Sequence, residues 1–293
     1  MVTGIWHTVF APGLFTYSFV VHAWVAASAI AVLAALVGFF VNLRGEAFVA
    51  HAVPRGAFTG AAGAFLIGVN SILGLSVFAI LMALGMGLMR RRSHNGVITA
   101  LALVTALGLG DLFLTVGNTY APEVFALLFG QLLGISGSEM VAIAILSVIL
   151  IGVIAVVYRP LLLASTVPDF AAARGVSLTA MNVTFTLLVA LAASLTVPVV
   201  GALLAFSLMI GPAAAGWYLA KTPWGAMLYS VGIALGTVWV SIVIGYDSSL
   251  PIGFLVAGLS LLAYMAARVI HWARRRRPGE GPVMATVAGS VAR

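Results

Sequence analysis

EMVAIAILSVILIGVIAVVY, residues Glu139 to Tyr158, carries one charged side chain, at its first position. About 20 consecutive apolar residues in an α-helix cover the roughly 30 Å of a bilayer's hydrocarbon core. A barrel strand shows alternating polarity over about ten residues, and this stretch does not alternate. Lipid offers no partner to an unpaired backbone group, so the segment closes its own hydrogen bonds as a helix. The remainder of the chain repeats the pattern. Of 293 residues, 63% are hydrophobic and 7% charged, against about 25% charged in a soluble domain, too few to cover a water-facing surface. The fold expected is all-α, a polytopic membrane helix bundle in the lipid bilayer.

Breaks at charges, Gly/Pro and Asn/Asp/Ser clusters place helices near Phe15–Val41, Ala47–Ile67, Ile72–Met89, Gly96–Val116, Glu139–Tyr158, Leu178–Leu195, Val199–Ala220, Trp224–Ile244 and Ile252–Ile270. This gives nine crossings, or eight if the second segment is broken or re-entrant. Asn118–Gly137 is too short for two elements and too apolar for a plain loop, and is expected along the interface. Residues 1–277 are expected to form one transmembrane domain, and 278–293, rich in Gly and Pro, a disordered cytoplasmic tail. Met1–Gly13 lacks the basic start of a cleaved signal, so the first helix is expected to be retained.

Basic residues occupy alternate connections: Arg44, Arg90–Arg92, Arg159 with Arg174, Lys221, and Arg268 with Arg274–Arg277. The positive-inside rule puts these in the cytoplasm, the N-terminus outside and the C-terminus inside a bacterial inner membrane. Gly56/Gly60 and Gly232/Gly236, four residues apart, are positions where helix backbones can approach closely.

Several chemistries lack their residues. With no cysteine there is no disulfide, thiolate metal site or cysteine nucleophile. The one lysine, Lys221, follows no glycine loop, so no phosphate cradle exists in this sequence and any ATPase is a separate chain. No His-Glu-x-x-His, no Gly-x-Ser-x-Gly and no pair of acids at helical spacing within one span occurs. The chain is not expected to be an enzyme, to hold a permanent cofactor, or to bind nucleic acid.

An ionisable group at membrane depth costs about 2.5–3.5 kcal/mol on insertion scales, which makes each one a functional candidate. His22 lies about a turn into the first helix, either gluing helices or acting as a ligand. Glu46, His51 and Arg55 cluster on the second, His51 and Arg55 sharing a face at four-residue spacing. Asp111 closes a Gly-Leu-Gly-Asp run in the outer half of the fourth helix. Asp247 precedes Ser-Ser-Leu-Pro, and reads equally as a turn acid or as a contact for an entering cation. Ser138 and Glu139 are expected to start a helix, with the acid favourable near its N-terminus. In the cytoplasmic connection, Pro168-Asp169-Phe170, then Ala171–Arg174 and Gly175, read as a short helix with an acid at its start and a glycine at its stop.

In order, Gly38-Phe39-Phe40-Val41 with Arg44 and Ala47-Phe48-Val49, Leu127–Leu133, Tyr158-Arg159-Pro160-Leu161 with Asp169-Phe170-Ala171 and Arg174-Gly175-Val176, Val200–Leu204 through Ile210–Ala214, and Leu250–Gly253 make a set that resembles the permease subunits of the bacterial ABC-3 family. These are importers of zinc, manganese and iron served by a separate metal-binding protein. The resemblance covers about Val37 to Met265. It implies a type II-like importer permease that transports Zn or Mn, zinc before manganese. It also implies a second copy of the chain enclosing one path and an extracytoplasmic metal-binding protein. A cytoplasmic ABC ATPase dimer would carry the ATP and Mg, docked on a coupling helix spanning Asp169, Phe170, Ala171, Arg174, Gly175 and Val176.

One departure concerns the cargo. The family's second helix carries Gly-Asp-x-x-Ser-His, and the aligned stretch here is Ala50-His51-Ala52-Val53-Pro54-Arg55. His51 replaces the acid and retains an imidazole that suits zinc. Arg55 replaces the histidine, stays charged and has no free lone pair. A unit positive charge about 6 Å from a dication costs roughly 5 kcal/mol at an effective dielectric near 20. Arg55 therefore points away, pairs with Glu46, Asp111 or Asp247, serves as a gate, or meets a cargo that is anionic or chelated. A secondary transporter or channel is the competing class, and would show a repeated half or a chain of membrane acids.

Overall fold

The computed structural model describes residues 17–89, 95–117, 130, 132–202, 204–248 and 250–275, and among them are ten α-helices. They are α1 Ser18–Arg44, α2 Ala47–Leu66, α3 Ser71–Met89, α4 Asn95–Val116, α5 Gly137–Thr166, α6 Pro168–Ala173, α7 Leu178–Val200, α8 Ala205–Leu219, α9 Pro223–Ser248 and α10 Ile252–Arg275. A 3₁₀ turn, Leu132–Gly134, precedes α5, and among the described residues there is no strand. Six helices, α1, α4, α5, α7, α9 and α10, are long and apolar enough to cross a membrane, while α3 and α8 are shorter apolar helices. Each of the nine expected segments overlaps one long helix, and α6 makes the tenth.

The arrangement follows side-chain size. In α1, Ala23, Ala26, Ala27, Ala31, Ala34 and Ala35 are all fully buried, and such small side chains let neighbouring backbones close in without a hydrophobic driving force from water. The helix is accordingly central, packed by α5, α7, α8 and α9. On one side α2 lies between α3 and α4, with α3 reaching α7; on the other, α8, α9 and α10 pack mutually. At the crossing of α2 and α3 a methyl on Gly60 would overlap the Gly74 carbonyl, and one on Gly74 the Gly60 carbonyl. Gly56 meets the Met82 side chain. Gly232 and Gly236 instead face open space among the described residues, so the second small pair does not bring two helices of this chain together.

Boundaries move where local chemistry is stronger than hydropathy. Helix α5 is opened by Ser136: its hydroxyl accepts the Glu139 N–H at 3.3 Å while its own N–H donates to the Glu139 carboxylate at 2.9 Å. This reciprocal capping box uses Ser136 where Ser138 was expected. At its other end α5 continues through Pro160 to Thr166, which places Arg159 inside a helix. Helix α7 likewise runs through Pro198 and stops at Gly201 (φ 96°), which shortens α8. Most of the expected interfacial segment (118–129 and 131), Arg90–Arg92, the residues before 17 and the tail 278–293 lie outside the described residues.

Candidate translocation path and coupling segment

Between Phe48 and Thr59 on α2, three residues retain exposure: Phe48, His51 and Arg55. Their spacing of three and four puts them on one stripe. Every other residue in that interval is buried, because α3 and α4 cover the opposite face. The His51 ring lies beside Phe48, centroids 6.4 Å apart, and meets Phe206 of α8 edge-on at 5.0 Å. Pro54 sits inside α2 and has no N–H, so the Ala50 carbonyl one turn back lacks its helical donor. The stripe thus joins an imidazole and a guanidinium on the part of α2 where His51 meets α8, while the carbonyl released by Pro54 belongs to buried Ala50.

Among the described residues Arg55 has no acidic partner. Its Nε is buried and has no hydrogen-bond partner. Glu46, one of the acids expected to offset it, is engaged elsewhere: its carboxylate receives the Arg44 Nε at 2.8 Å, and both side chains are under a tenth exposed. Nine residues of α-helical rise, about 13 Å, separate Glu46 from Arg55 along the chain. Asp111 on α4 and Asp247 in the last turn of α9 are exposed. Asp247 therefore belongs to a helix rather than to a turn, at the end where a negative charge opposes the helix dipole.

His22 belongs to another contact, its ring packed beside Gly137 at the start of α5. No three of the histidines, aspartates and glutamates among the described residues come together closely enough to hold a metal ion. Within one chain, then, the sequence candidates divide. His51 and Arg55 share a face, Glu46 belongs to an ion pair, and His22, Asp111 and Asp247 stand apart.

The connection from α5 to α7 is compact and ordered by its own punctuation. Pro168 fits the first turn of α6, where its missing N–H costs no helical bond. Gly175 takes φ 80° and lets the Val176 N–H return to the Ala171 carbonyl at 3.0 Å. The Ser177 hydroxyl then accepts the Ala180 N–H at 3.3 Å and starts α7. Ala171 is fully buried and anchors the short helix, while Asp169, Phe170 and Arg174 project outward. The Arg174 guanidinium covers the Phe170 ring at 4.9 Å. An acid, an aromatic and a base are thereby presented on one small ledge.

Sequence reasoning placed Arg44 in the membrane topology and in the family motif set but found it no partner, whereas it is the hub of a network. Besides Glu46, its guanidinium donates to the Ser165 hydroxyl at 3.2 Å and to the Asn182 side-chain oxygen, and lies 4.6 Å from the Phe185 ring centre. A second missed residue, Asn42, donates to the Ile210 carbonyl at 3.4 Å and links α1 to α8. The available signal was the Arg-Gly-Glu order at a helix end, since opposite charges around a glycine suit a tight elbow.

The sequence model of the ABC 3 transport family matches residues 16–271. The chain is 27% identical over 271 residues to the manganese import system permease protein ScaB of Streptococcus parasanguinis, covering 92% of this chain and 96% of that one. It is 25% identical over 216 residues to the high-affinity zinc uptake system membrane protein ZnuB of Haemophilus influenzae, covering 71% and 83%. Among solved structures, PsaBC from Streptococcus pneumoniae in complex with Fab superposes with a TM-score of 0.80 at 21% identity, covering 91% of this chain and 95% of that one.

Proposed function

The chain belongs to the ABC 3 transport family, and from that premise we propose that it is the membrane-spanning permease of an ATP-driven importer of a divalent transition metal. In this reading it works as a transport subunit rather than an enzyme. Two copies enclose the path, an ABC ATPase dimer binds below, and an extracytoplasmic metal-binding protein delivers cargo from above. All nine long helices cross a bacterial inner membrane, with the N-terminus outside and the C-terminus inside. The alternation of the basic connections supports that topology.

The observation that carries the reading is the half-open stripe of α2, with His51 set against Phe206 and Arg55 one turn on, in a helix otherwise buried between Val49 and Thr59. Polar groups at such a depth belong at a water-filled path or facing another chain, since lipid contact is costly. A second copy facing this stripe would supply a second His51, and a two-fold axis repeats each ligand at no further cost in sequence. The metal is zinc or manganese. The imidazole favours zinc, and relatives named for both metals keep both in view. Unpaired Arg55 favours a second cargo, a metal in an anionic chelate, whose charge the guanidinium would meet.

The experiment is metal uptake into vesicles containing this chain, with and without its ATPase and binding protein, read by elemental analysis. Uptake that needs ATP and both partners is expected. Movement of metal with no ATPase present would replace the importer by a channel or secondary transporter.

A further inference from the structure

Arg44 sits where α1, α2, α5 and α7 meet, and its side chain joins segments far apart in sequence. It ends α1, where a cation complements the helix dipole. Gly45 follows at φ 68°, and the Glu46 N–H returns to the Val41 carbonyl at 2.9 Å, which makes a rigid elbow into α2. On the other side the same guanidinium holds Ser165, three residues before Pro168 at the head of α6, and Asn182, in the second turn of α7 after α6. Ser165 is itself fixed, donating to the Leu161 carbonyl at 2.6 Å. Both flanks of α6 and the entry to α2 are therefore joined through one planar side chain.

The contact set also explains why arginine stands there. A guanidinium presents donors in a fixed fork and stacks on an aromatic face, and both features are used, on Glu46, Ser165, Asn182 and Phe185. Lysine has one ammonium and could not reach all three polar partners in that geometry. The side chain is 8% exposed, so any partner lost leaves a buried charge short of compensation. Such a group resists changes in its surroundings piecemeal and instead moves with them as a unit.

We propose that Arg44 is a positioning residue that couples the ledge formed by α6 to the His51 and Arg55 stripe of α2, so that displacement of α6 by a docked ATPase is conveyed to the path through the Arg44 to Glu46 elbow. The proposal rests on the reading of α6 as the docking segment. Its role is in transmission: Arg44 neither touches the cargo nor contacts the partner directly. Asn182 and Ser165 are the receiving ends on one side, and the α2 N-terminus is the responding end on the other.

The test uses the assembled complex of permease, ATPase and binding protein in vesicles, supplied with manganese and zinc together. The readout is metal moved per ATP hydrolysed, normalised to folded complex. R44K retains the charge but not the fork, and N182A removes one flank while leaving the pair with Glu46. Each is expected to lower metal moved per ATP by about fivefold or more, the scale of an ordinary coupling between sites. The double variant should be no worse than the poorer single, as members of one linkage behave. An unchanged ratio in both single variants, or a fall that disappears on normalising to folded complex, overturns the proposal. Asp169→Arg is run alongside: if the ATPase still co-purifies with that variant, the docking reading of α6 fails and the proposal falls with it, whatever R44K shows.

Discussion

His51 of α2 meets the ring of Phe206 of α8 edge-on, centroids 5.0 Å apart, across the face that α3 and α4 leave uncovered. The perpendicular packing of the two rings limits where the imidazole can turn. His51→Ala removes the imidazole but exchanges a half-buried side chain for a smaller one, a change the fold should tolerate. Metal uptake at low metal is expected to fall by at least about tenfold, a loss of about 1.4 kcal/mol in recognition, with the melting temperature in detergent nearly unchanged. Growth and uptake equal to the wild type in a strain with no other importer would exclude His51 as a ligand.

Arg55 is one turn further along the same stripe, unpaired at Nε. If the cargo is a bare dication, Arg55→His removes a repulsion of roughly 5 kcal/mol at about 6 Å and adds a second imidazole. Uptake of free zinc or manganese is then expected to hold or rise. A complete loss of uptake by the variant, with the protein still folded, would assign the guanidinium its own contact to an anionic cargo. Comparing free metal with a metal presented in an anionic chelate separates the two results.

Packing makes a separate prediction. Because a methyl on Gly60 would overlap the Gly74 carbonyl, backbone against backbone, Gly60→Ala forces α2 and α3 apart. Overpacking of this kind costs about 1–3 kcal/mol. Gly232→Ala adds its methyl to open space and is expected to stay within about 0.5 kcal/mol of the parent. Thermal unfolding of the two variants in detergent should differ clearly; equal melting temperatures would mean that the α2 to α3 crossing is looser than its geometry.

Much of this architecture is written in local sequence, and what is not depends on long-range partners. Length and apolarity sufficed to find nine helical segments, because each backbone must satisfy itself where water is absent. Pro168 and Gly175 marked α6 at both ends, since one residue type presets the first turn and the other permits the positive φ that stops it. Prolines misled elsewhere. Pro160 and Pro198 signal helix ends in water, yet α5 and α7 continue through them, as helices packed by neighbours can. The pair of Arg44 with Glu46 is local, but the partners Ser165 and Asn182 of Arg44 lie 121 and 138 residues away, beyond any local pattern. Glu46 was offered to Arg55 by proximity along α2, and the fold gives it to Arg44 instead.

Topology is testable because the chain has no cysteine. Ser138 and Ser177 are both exposed, at opposite ends of the path through α5 and α6. Cysteine at Ser138 should react with a membrane-impermeant maleimide in intact cells, and cysteine at Ser177 only after permeabilisation. The second substitution removes the cap on α7 at about 1 kcal/mol, which the bundle can absorb. The reverse labelling pattern would invert the orientation and place α6 outside, away from any ATPase.

The ledge of α6 gives the last prediction. Asp169, Phe170 and Arg174 face outward while buried Ala171 holds the segment in place, so the outward face can be altered with little effect on the fold. Asp169→Arg reverses one charge at the rim, and a reversed charge opposite a complementary surface costs both affinity and association rate. Gly175→Trp acts differently: it forces a bulky L-residue to φ 80° and so disturbs the turn that aims the ledge. Both variants are expected to purify as folded permease with at least about tenfold less ATPase bound, a loss of about 1.4 kcal/mol. The two should also separate. High salt, which screens charge over about 10 Å at 0.1 M, should narrow the difference between Asp169→Arg and the parent, and should leave the Gly175→Trp defect in place. ATPase retained at the parental level by both variants would move the docking surface to another part of the cytoplasmic face.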